Sequence, residues 1–504
     1  MAPGFEGWAP HLTALITTGG TPPVVRAIHA LPEGHRWERV PGVTLVGDAA
    51  HPMPPSGDGA PGGSPATPAP SAMIQRYGCG YATTYPHPCR TPAPHARRTA
   101  MSQQPRKPQY RETGAPPGGV PPHPGLTGGP VYLDHNATTP VDPRVAEAMT
   151  PYLTEFFGNP SSGHPYAEVP RRALAEARAQ VAELIGARPA EIVFTASGSE
   201  ADLLALRGAV LAAGRPRPHL VTQATEHPAV LESARALERL HGARVTVLPV
   251  DRDGLVGPAA LAAALTEDTV LVSVMAANNE TGALQPVAEL AALAHGHGAL
   301  FHCDAAQAAG RIPLDVRDLG ADLLTVVGHK MYAPKGTAAL YVRAGVRLEP
   351  VVPGGGQERG LRAGTENVAL AVALGAAARI AAAELADGTP ARIADLRDDL
   401  HRRLAGALPG RVRLNGPDKD RLPNTLNVSV EGALGHELLA AAPEIAASTG
   451  SACHSGARTP SPVLTAMGVE PARALGALRL SLGRWTTAQD IGTAATALVR
   501  AATR

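Results

Sequence analysis

The pattern of apolar and polar positions changes character at Val131. Beyond this residue, short apolar stretches typical of buried strands occur at 192–194, 270–274 and 323–327. They alternate with segments rich in alanine, leucine and arginine. In one of these, 169–185, apolar residues recur at helical intervals, at Val169, Ala173, Ala177, Val181 and Leu184. Strands that alternate with helices in this way predict a large α/β domain whose sheet is mainly parallel.

The segment 61–130 has neither the helical nor the strand period. It is rich in proline, glycine, alanine, serine and arginine, as in P-G-G-S-P-A-T-P-A-P. Such a composition cannot bury enough apolar surface to form a core. We therefore predict a disordered linker over 61–130.

The first 60 residues contain an apolar run at 43–46, which predicts a strand, followed by Gly47 and Asp48. This stretch resembles the second flavin-contacting motif of FAD-dependent aromatic monooxygenases, with Asp48 at the position that meets the ribityl chain. The glycine-rich turn that would hold the flavin pyrophosphate is missing from this chain. We therefore predict that the segment 1–60 is a non-functional fragment. The alternative, a flavin monooxygenase fusion, would be distinguished by a flavin spectrum of the purified protein.

Composition narrows the class of protein and its location. The net charge of +1 gives no reason to expect binding to nucleic acid or to an anionic membrane. Four cysteines in 504 residues do not form a disulfide framework, so we expect a reducing, cytoplasmic setting. We found no apolar run of the roughly 20 residues that a membrane helix needs, and we expect no metal site.

Lysine is scarce, and its placement is informative. Lys107 lies in the predicted linker and Lys419 in a turn-like stretch, whereas Lys330 follows the strand at 323–327 through Gly328 and His329. Open α/β sheets place their ligands at such strand ends. Burial there lowers the pKa of a lysine and makes its amine reactive toward carbonyl compounds. Lys330 is therefore a candidate catalytic residue, against the alternative that it only solvates a strand end.

Two further stretches suggest a phosphorylated pyridine cofactor. Asp304 ends a predicted strand over 299–304 and, in apolar surroundings, would need a positive partner, which a protonated pyridine nitrogen supplies in pyridoxal phosphate enzymes. Gln307 lies three residues further on. The turn around Gly198 and Ser199 begins a predicted helix, whose free amides suit a phosphate.

Cys453 lies in S-T-G-S-A-C-H-S-G, a stretch with no apolar period. A free cysteine is usually buried, and on an exposed loop it is easily oxidised unless the protein uses its thiol. From the residues alone, a chance loop cysteine and a functional thiol both remain open.

Nine motifs, taken in order, resemble those of a known family. The segment from Val131 onward is similar to class V aminotransferases, and within them to cysteine desulfurases of the nitrogen-fixation and iron–sulfur-cluster type. The motifs are Y-L-D-H-N-A-T-T-P (132–140), G-N-P-S-S-G-H (158–164), T-E-H-P-A-V (225–230), N-N-E-T-G (278–282), D-A-A-Q (304–307), G-H-K-M-Y-A-P-K-G (328–336), G-G-G-Q-E-R-G-L-R-A-G-T-E-N (354–367), S-T-G-S-A-C (448–453) and L-R-L-S-L-G-R-W-T-T (478–487).

The resemblance implies a role for each matching residue. Lys330 would carry pyridoxal phosphate covalently, Asp304 would pair with its ring nitrogen, and Gln307 would contact its phenolic oxygen. His227 would stack on the ring and transfer protons. The phosphate would be held by Gly198, Ser199, His329 and, from the second subunit, Thr365. Asn279 and Arg479 would bind the carboxylate of L-cysteine. Cys453 would accept its sulfur and pass it to an acceptor protein, while Cys303 would be structural.

The resemblance also implies the fold and the assembly. It predicts the aspartate-aminotransferase type, fold type I, with a cofactor-binding large domain over 131–384 and a small α/β domain over 385–504. The active sites would lie at a homodimer interface. Two positions depart from the family pattern, since Val327 stands where a phosphate-binding serine is common and Leu203 where an asparagine is usual. The lost hydroxyl is expected to weaken cofactor binding.

Other functions remain open at this stage. A selenocysteine lyase or an aminotransferase could use the same scaffold, although an aminotransferase needs no loop thiol. A third alternative is a non-catalytic scaffold that binds the cofactor only as a structural ligand. The sequence does not distinguish iron–sulfur clusters, tRNA, a thio-cofactor or DNA as the destination of the sulfur.

Overall fold

A computed structural model describes residues 120–450 and 459–504. The flavin-like segment 1–60, the predicted linker up to residue 119, and Cys453 lie outside the described residues. Residues 120–130, which we assigned to the linker, are in contact with the rest of the chain. The indole of Trp485 donates a hydrogen bond to the carbonyl of Pro121 at 2.8 Å, and a short 3-10 turn spans Pro124–Leu126. The ring of His123 also lies 2.9 Å from Val141 O, so the predicted linker extends too far at this end, because apolar periodicity does not reveal contacts made by single polar groups.

Twelve strands occur in the described residues, and each prediction of a strand beyond Val131 coincides with one of them. In chain order the strands are β1 Val131–Tyr132, β2 Ile192–Thr195, β3 His219–Gln223, β4 Arg244–Leu248, β5 Thr269–Ser273, β6 Leu300–Asp304, β7 Leu323–Val327, β8 Ala338–Val342, β9 Val412–Leu414, β10 Thr425–Val430, β11 Ile445–Ala446 and β12 Ala477–Ser481.

The α-helices of the described residues separate these strands. In chain order they are α1 Pro143–Met149, α2 Pro151–Thr154, α3 Glu168–Leu184, α4 Gly198–Ala212, α5 Pro228–His241, α6 Pro258–Ala264, α7 Val287–Gly296, α8 Val368–Ala386, α9 Thr389–Ala407, α10 Gly435–Ala440, α11 Pro462–Ala466, α12 Pro471–Leu475 and α13 Ala488–Ala502.

The central sheet has seven strands in the order β2-β8-β7-β6-β5-β3-β4. The pairs among β7, β6, β5, β3 and β4 are parallel, and β8 alone runs antiparallel to both of its neighbours. Strands of a parallel sheet are covered on both faces and are therefore continuously apolar. This explains why β5 and β7 are mostly apolar in the sequence and do not alternate with polar residues.

Helices cover both faces of this sheet. On one face the core contains Phe301, Leu324 and Val326 and is closed by α3, α7 and α8. On the other face Leu220, Leu271 and Leu340 pack against α4 and α5. The predicted helix over 169–185 is α3, and Ala173, Ala177, Val181 and Leu184 of its apolar face are buried.

A smaller antiparallel sheet, in the order β12-β10-β9, forms the second layer of the fold. Its core packs Leu426, Val428 and Leu480 against α9 and α13. The short strand β1 pairs with β11, and Leu133 next to it is buried in this second core. The first strand of the described chain thus belongs with C-terminal elements, although the predicted boundaries placed it with residues 131–384. Those boundaries otherwise remain a prediction.

Helix α8 is unusually apolar. By length and mean hydropathy it could cross a membrane, but most of it is buried inside the protein. A Cβ added at Gly375 would come within 2.6 Å of the Cα of Ala177, so α8 and α3 are in backbone contact there. Arg379 and Glu384 interrupt its sequence, which is why we found no long apolar run. Helix α8 is therefore buried to the extent typical of a helix in a protein core.

Candidate active site

The predicted functional residues gather at the carboxyl ends of the parallel strands. Asp304 is the last residue of β6, and Lys330 closes the 3-10 turn that follows β7. Gly198 begins α4 directly after β2, and His227 precedes the first turn of α5. This is the edge at which ligands bind in open α/β sheets.

The Lys330 amine is held by two backbone carbonyl groups. Its Nζ donates hydrogen bonds to Asn136 O at 2.6 Å and to Ala137 O at 2.8 Å. Burial, together with the positive charges of Arg311 and Arg479, lowers the pKa of Lys330 to about 7, against the opposing effect of Asp304 and Asp134. A substantial fraction of this amine is therefore neutral near neutral pH, as a nucleophilic lysine requires.

Asp304 and His227 form an electrostatically linked pair near this amine. Burial raises the pKa of Asp304, while the charges of His227 and Lys330 act in the opposite direction. One carboxylate oxygen of Asp304 accepts from the backbone N–H of Ala306 at 2.9 Å. Burial lowers the pKa of His227, and its Nδ1 accepts from the N–H of Ala229 at 3.1 Å. When His227 is neutral, this bond leaves its proton on Nε2.

Arg479 and Asn279 also contact the segment 134–137. Arg479, only 1% exposed, donates to Asp134 Oδ1 at 2.7 Å and to Asn279 O at 3.3 Å. Asn136 also donates its side-chain amide to Asn279 O, at 3.1 Å. A buried guanidinium paired with a single, partly exposed carboxylate can exchange that partner for the carboxylate of a substrate.

Gln307 is already engaged with the protein. Its amide nitrogen donates to Asn136 O at 3.0 Å, and its amide oxygen accepts a short hydrogen bond from Arg311. Arg311 also donates to the carbonyls of His135 and Lys330, at 3.3 and 3.4 Å. Contact between Gln307 and a cofactor would therefore require its amide nitrogen to release Asn136 O.

Sequence reasoning missed the contribution of the segment 134–137 and of Arg311. Backbone and side-chain atoms of Asp134, Asn136 and Ala137 contact Lys330, Gln307, Asn279 and Arg479. The motif Y-L-D-H-N-A-T-T-P marked this segment but gave it no role. Arg311 has no signal of its own in the sequence.

The N-terminus of α4 provides a candidate phosphate site. Ser197 caps the helix by accepting from Glu200 N at 3.1 Å, and the amides of Gly198 and Ser199 belong to the first turn, where amides lack helical acceptors. Across from it, burial lowers the pKa of His329 to about 4, so its ring is neutral, and its Nδ1 lies 3.2 Å from Thr138 Oγ1.

Val327 forms one wall of this site. A Cβ added at Gly198 would lie 2.6 Å from Val327 Cγ2, so the valine occupies the space beside the helix start. Val327 is 5% exposed. Leu203, the other departure from the family pattern, is half-buried on α4. The helix start is thus available to a phosphate, but Val327 offers it no hydroxyl.

Thr365 is exposed on the loop 361–367. In the same loop Arg362 forms an ion pair with Glu200 at 2.9 Å, which brings this loop to the first turn of its own α4. The contribution of Thr365 to the site of a second subunit remains a prediction.

Two buried acids near Asp304 were not singled out from the sequence. Burial and the nearby charge of Asp304 raise the pKa of Glu226 to about 8 and the pKa of Asp202 well above its ordinary value. Glu226 accepts from the backbone N–H of Met275 at 2.6 Å. Within 120–450 and 459–504, no group of three His, Cys, Asp or Glu side chains is arranged to hold a metal.

The described residues fit pyridoxal phosphate. They combine a lysine of depressed pKa, a buried carboxylate that needs a positive partner, and a helix start suited to phosphate. Asp304 is the clearest sign, because burial raises its pKa despite the charges of His227 and Lys330, and a protonated ring nitrogen would supply further counter-charge to this desolvated carboxylate.

Comparison with known proteins identifies the family. The family model for class V aminotransferases matches residues 131–493. The cysteine desulfurase IscS of Anaeromyxobacter dehalogenans is 47% identical over 365 residues, which cover 72% of this chain and 90% of that protein. A solved NifS-like protein has a TM-score of 0.68 at 35% identity and covers 74% of this chain and 98% of its own. A structure of SspA in complex with cysteine has a TM-score of 0.63 at 35% identity, covering 71% and 99%.

The chain therefore belongs to the class V aminotransferase family, and the predicted fold type is confirmed. Within that family it belongs to the cysteine desulfurases, as its high identity to them over most of their length shows. This confirms the family assignment that the nine motifs suggested.

Proposed function

We propose that this enzyme is a pyridoxal phosphate-dependent cysteine desulfurase, which converts L-cysteine to L-alanine and stores the sulfur on Cys453. The single observation that carries the proposal is the Lys330 amine, whose pKa is near 7 and which interacts electrostatically with Asp304 at the carboxyl ends of β6 and β7. Membership of the cysteine desulfurases supports the choice of reaction.

When bound, pyridoxal phosphate supplies an electron sink that stabilises negative charge on the carbon atoms of an amino acid. Lys330 would hold it through its neutral amine, Asp304 would keep its ring nitrogen protonated, and Gln307 would face its phenolic oxygen. The amides of Gly198 and Ser199, together with His329, would hold its phosphate. His227, neutral at physiological pH, is the candidate to accept and return protons.

The substrate carboxylate is proposed to bind Arg479. Its arrival would displace Asp134, now 2.7 Å away, and would bring the amino group of cysteine toward Lys330. The side chain of Asn279 would assist, because its backbone oxygen already fixes one nitrogen of Arg479. Burial of Arg479 strengthens this recognition, since a desolvated guanidinium gains more from a carboxylate than an exposed one.

The sulfur step requires a thiolate. Cys453 Sγ would attack the sulfur of the substrate, the bond between that sulfur and Cβ would break, and Cβ would take up a proton to give alanine. The product on the protein is a persulfide. Cys453 lies outside the described residues, but Ser448, five residues before it, exchanges backbone hydrogen bonds with Arg479 at 2.7 and 3.3 Å. Five extended residues span at most roughly 18 Å, so the chain length allows the thiol to reach a substrate bound at Arg479.

Four further features belong to the same proposal. We propose a homodimer, in which Thr365 of one subunit serves the phosphate site of the other. We propose that the persulfide passes to a scaffold or sulfur-carrier protein, with iron–sulfur cluster biogenesis as the receiving process. We propose a cytoplasmic location, because few cysteines in a long chain suit a reducing compartment. We propose no direct role for nucleic acid or membranes.

A Cys453→Ser variant tests this function. The variant should bind pyridoxal phosphate as the wild type does, because none of the proposed cofactor-binding residues lies in the segment 451–458. Its alanine production from cysteine should fall by orders of magnitude, because a serine hydroxyl is barely ionised at neutral pH, whereas a thiol of ordinary pKa is a few per cent thiolate.

Cys303 provides the matched control. It is buried, and burial raises the pKa of its thiol well above the usual value, so it should not react. After turnover with cysteine, mass spectrometry should find an added sulfur on the peptide that contains Cys453 and none on the Cys303 peptide. Wild-type alanine production by Cys453→Ser would contradict the mechanism. Activity restricted to selenocysteine would favour a lyase, and an enzyme that binds the cofactor but turns over neither substrate would favour a non-catalytic scaffold.

A further inference from the structure

Tyr332, two residues after Lys330, has an unusual backbone. Among the residues that the structure describes, it is one of three non-glycine residues with positive φ, here 66°. A side chain rarely adopts this left-handed conformation, and where it does, the surroundings hold it in place. The other two such residues, Glu358 and Arg359, lie in a different loop. Tyr332 is therefore the strained position of the turn that carries Lys330.

The hydroxyl group of Thr139 forms hydrogen bonds with the residues on both sides of Lys330 and Met331. Thr139 Oγ1 donates to His329 O at 3.0 Å and accepts from Tyr332 N at 2.8 Å. The carbonyl of Tyr332 in turn accepts from Asp142 N at 3.0 Å. The residues on either side of Lys330 and Met331 are thus tied to the segment 139–142.

The side chain of Tyr332 is held by Arg484. The backbone N–H of Arg484 donates to Tyr332 Oη at 2.9 Å, and its guanidinium carbon lies 3.7 Å from the centre of the tyrosine ring. The same guanidinium is paired with Asp142 at 2.5 Å and with Glu384 at 2.9 Å. Arg484 is only 2% exposed. Two carboxylates therefore fix the orientation of the Arg484 guanidinium. The ring of Tyr332 packs on this immobilised group.

We propose that Tyr332 and Arg484 are positioning residues for Lys330. They hold the strained turn so that the Lys330 amine stays buried against the carbonyls of Asn136 and Ala137. The inference rests on the proposed role of Lys330 as the cofactor-bearing residue. It also links that lysine to the substrate side of the site, because Arg484 follows β12, the strand that carries Arg479.

The reactivity of the Lys330 amine in the cofactor-free protein tests this role without use of the enzymatic reaction. Brief acetylation at a series of pH values, followed by peptide mass spectrometry, gives the midpoint at which Lys330 becomes reactive. In the wild type the midpoint should lie near 7, because burial is the largest influence, followed by the charges of Arg311, Arg479, Asp304 and Asp134.

In Tyr332→Ala the turn loses its ring contact and admits water. The midpoint of Lys330 should then rise by roughly one pH unit or more toward the ordinary lysine value, since relief of desolvation raises the pKa of an amine. Tyr332→Phe keeps the ring on the guanidinium and loses only one hydrogen bond. In this variant the acetylation midpoint of Lys330 should lie close to the wild-type value. Uptake of pyridoxal phosphate by the two variants, measured by absorbance, should slow in the same order.

Two controls separate positioning from general loosening. Leu237→Ala removes a buried side chain on α5 without touching the turn; it should lower thermal stability and leave the Lys330 midpoint unchanged.

If Tyr332→Ala does not fold, Arg484→Lys replaces it in the test, since it keeps the positive charge beside Asp142 but loses the planar contact with the ring of Tyr332. A folded Tyr332→Ala, or failing that a folded Arg484→Lys, with a wild-type midpoint would overturn the inference. So would an equal rise in Leu237→Ala. A shifted midpoint in a protein that does not desulfurate cysteine would support the positioning role and refute only the proposed function.

Discussion

Replacing Val327 with threonine should tighten the binding of pyridoxal phosphate. The two side chains have nearly the same shape, and in the same rotamer the threonine hydroxyl takes the place of Val327 Cγ2. That methyl group is the atom that lies against Gly198, 2.6 Å from the position of an added Cβ there. The new hydroxyl would therefore point at the start of α4, where the phosphate is proposed to bind.

The expected gain follows from the charge of the phosphate. A hydrogen bond to a charged group contributes about 1.5–3 kcal/mol, and desolvation of the added hydroxyl offsets part of this. A net gain of about 1–2 kcal/mol corresponds to a dissociation constant roughly 5- to 30-fold lower. Equilibrium dialysis of the cofactor-free protein, in buffer without phosphate, measures this constant directly.

Val326→Thr is the matched control. Val326 precedes Val327 on β7, faces the opposite side of the sheet and is buried in the core of that side. Its hydroxyl cannot reach the helix start, so the dissociation constant should stay at the wild-type value while stability falls. An unchanged or weaker affinity in a folded Val327→Thr would show that the phosphate does not bind beside Val327.

Three further predictions concern the lysines and the N-terminus. Lys330→Ala should abolish the visible absorbance of the bound cofactor, whereas Lys335→Ala should keep it, because Lys335 is exposed in a turn; loss of absorbance in Lys335→Ala alone would reassign the cofactor lysine. Removal of residues 1–118 should leave cofactor absorbance and desulfurase activity intact, and a large loss of either would give the N-terminal region a function. A protein that starts at Gly128 should also be active but should melt about one degree lower, because Trp485 loses its hydrogen bond to Pro121, a contribution of about 1 kcal/mol in a chain of this length.

The sequence predicted the parts of the site that follow directly from local pattern. Asp304 ends a mostly apolar strand and Lys330 follows another one by three residues, and a polar residue at such a position lies at an edge of the sheet. The strands themselves were predictable for the same reason, since burial on both faces favours mostly apolar residues over an alternating pattern.

The rest of the site depends on contacts between distant segments. The carbonyls that receive the Lys330 amine belong to residues 136 and 137, nearly two hundred positions away, and backbone carbonyls leave no trace in residue type. Arg311 is one arginine among many in the sequence, and only its burial makes it distinctive. The left-handed backbone of Tyr332 was equally hidden, because tyrosine is not a residue that marks such a conformation.

The pairing of β1 with β11 has a consequence for the order in which the protein is made. Residues 131–136 lead to the carbonyl groups of Asn136 and Ala137 that accept from the Lys330 amine. They are held in place by C-terminal residues, because Leu133 N donates to Ala446 O at 2.8 Å and Asn136 N donates to Ser481 Oγ at 3.0 Å. During synthesis the N-terminal part of a chain emerges first, and contacts of such long sequence separation form late. The central sheet can therefore fold on the ribosome before the segment that accepts the hydrogen bonds of the Lys330 amine is in place. We expect a nascent chain stalled before residue 445 to be compact but unable to retain pyridoxal phosphate, so that cofactor capture becomes a step that follows translation.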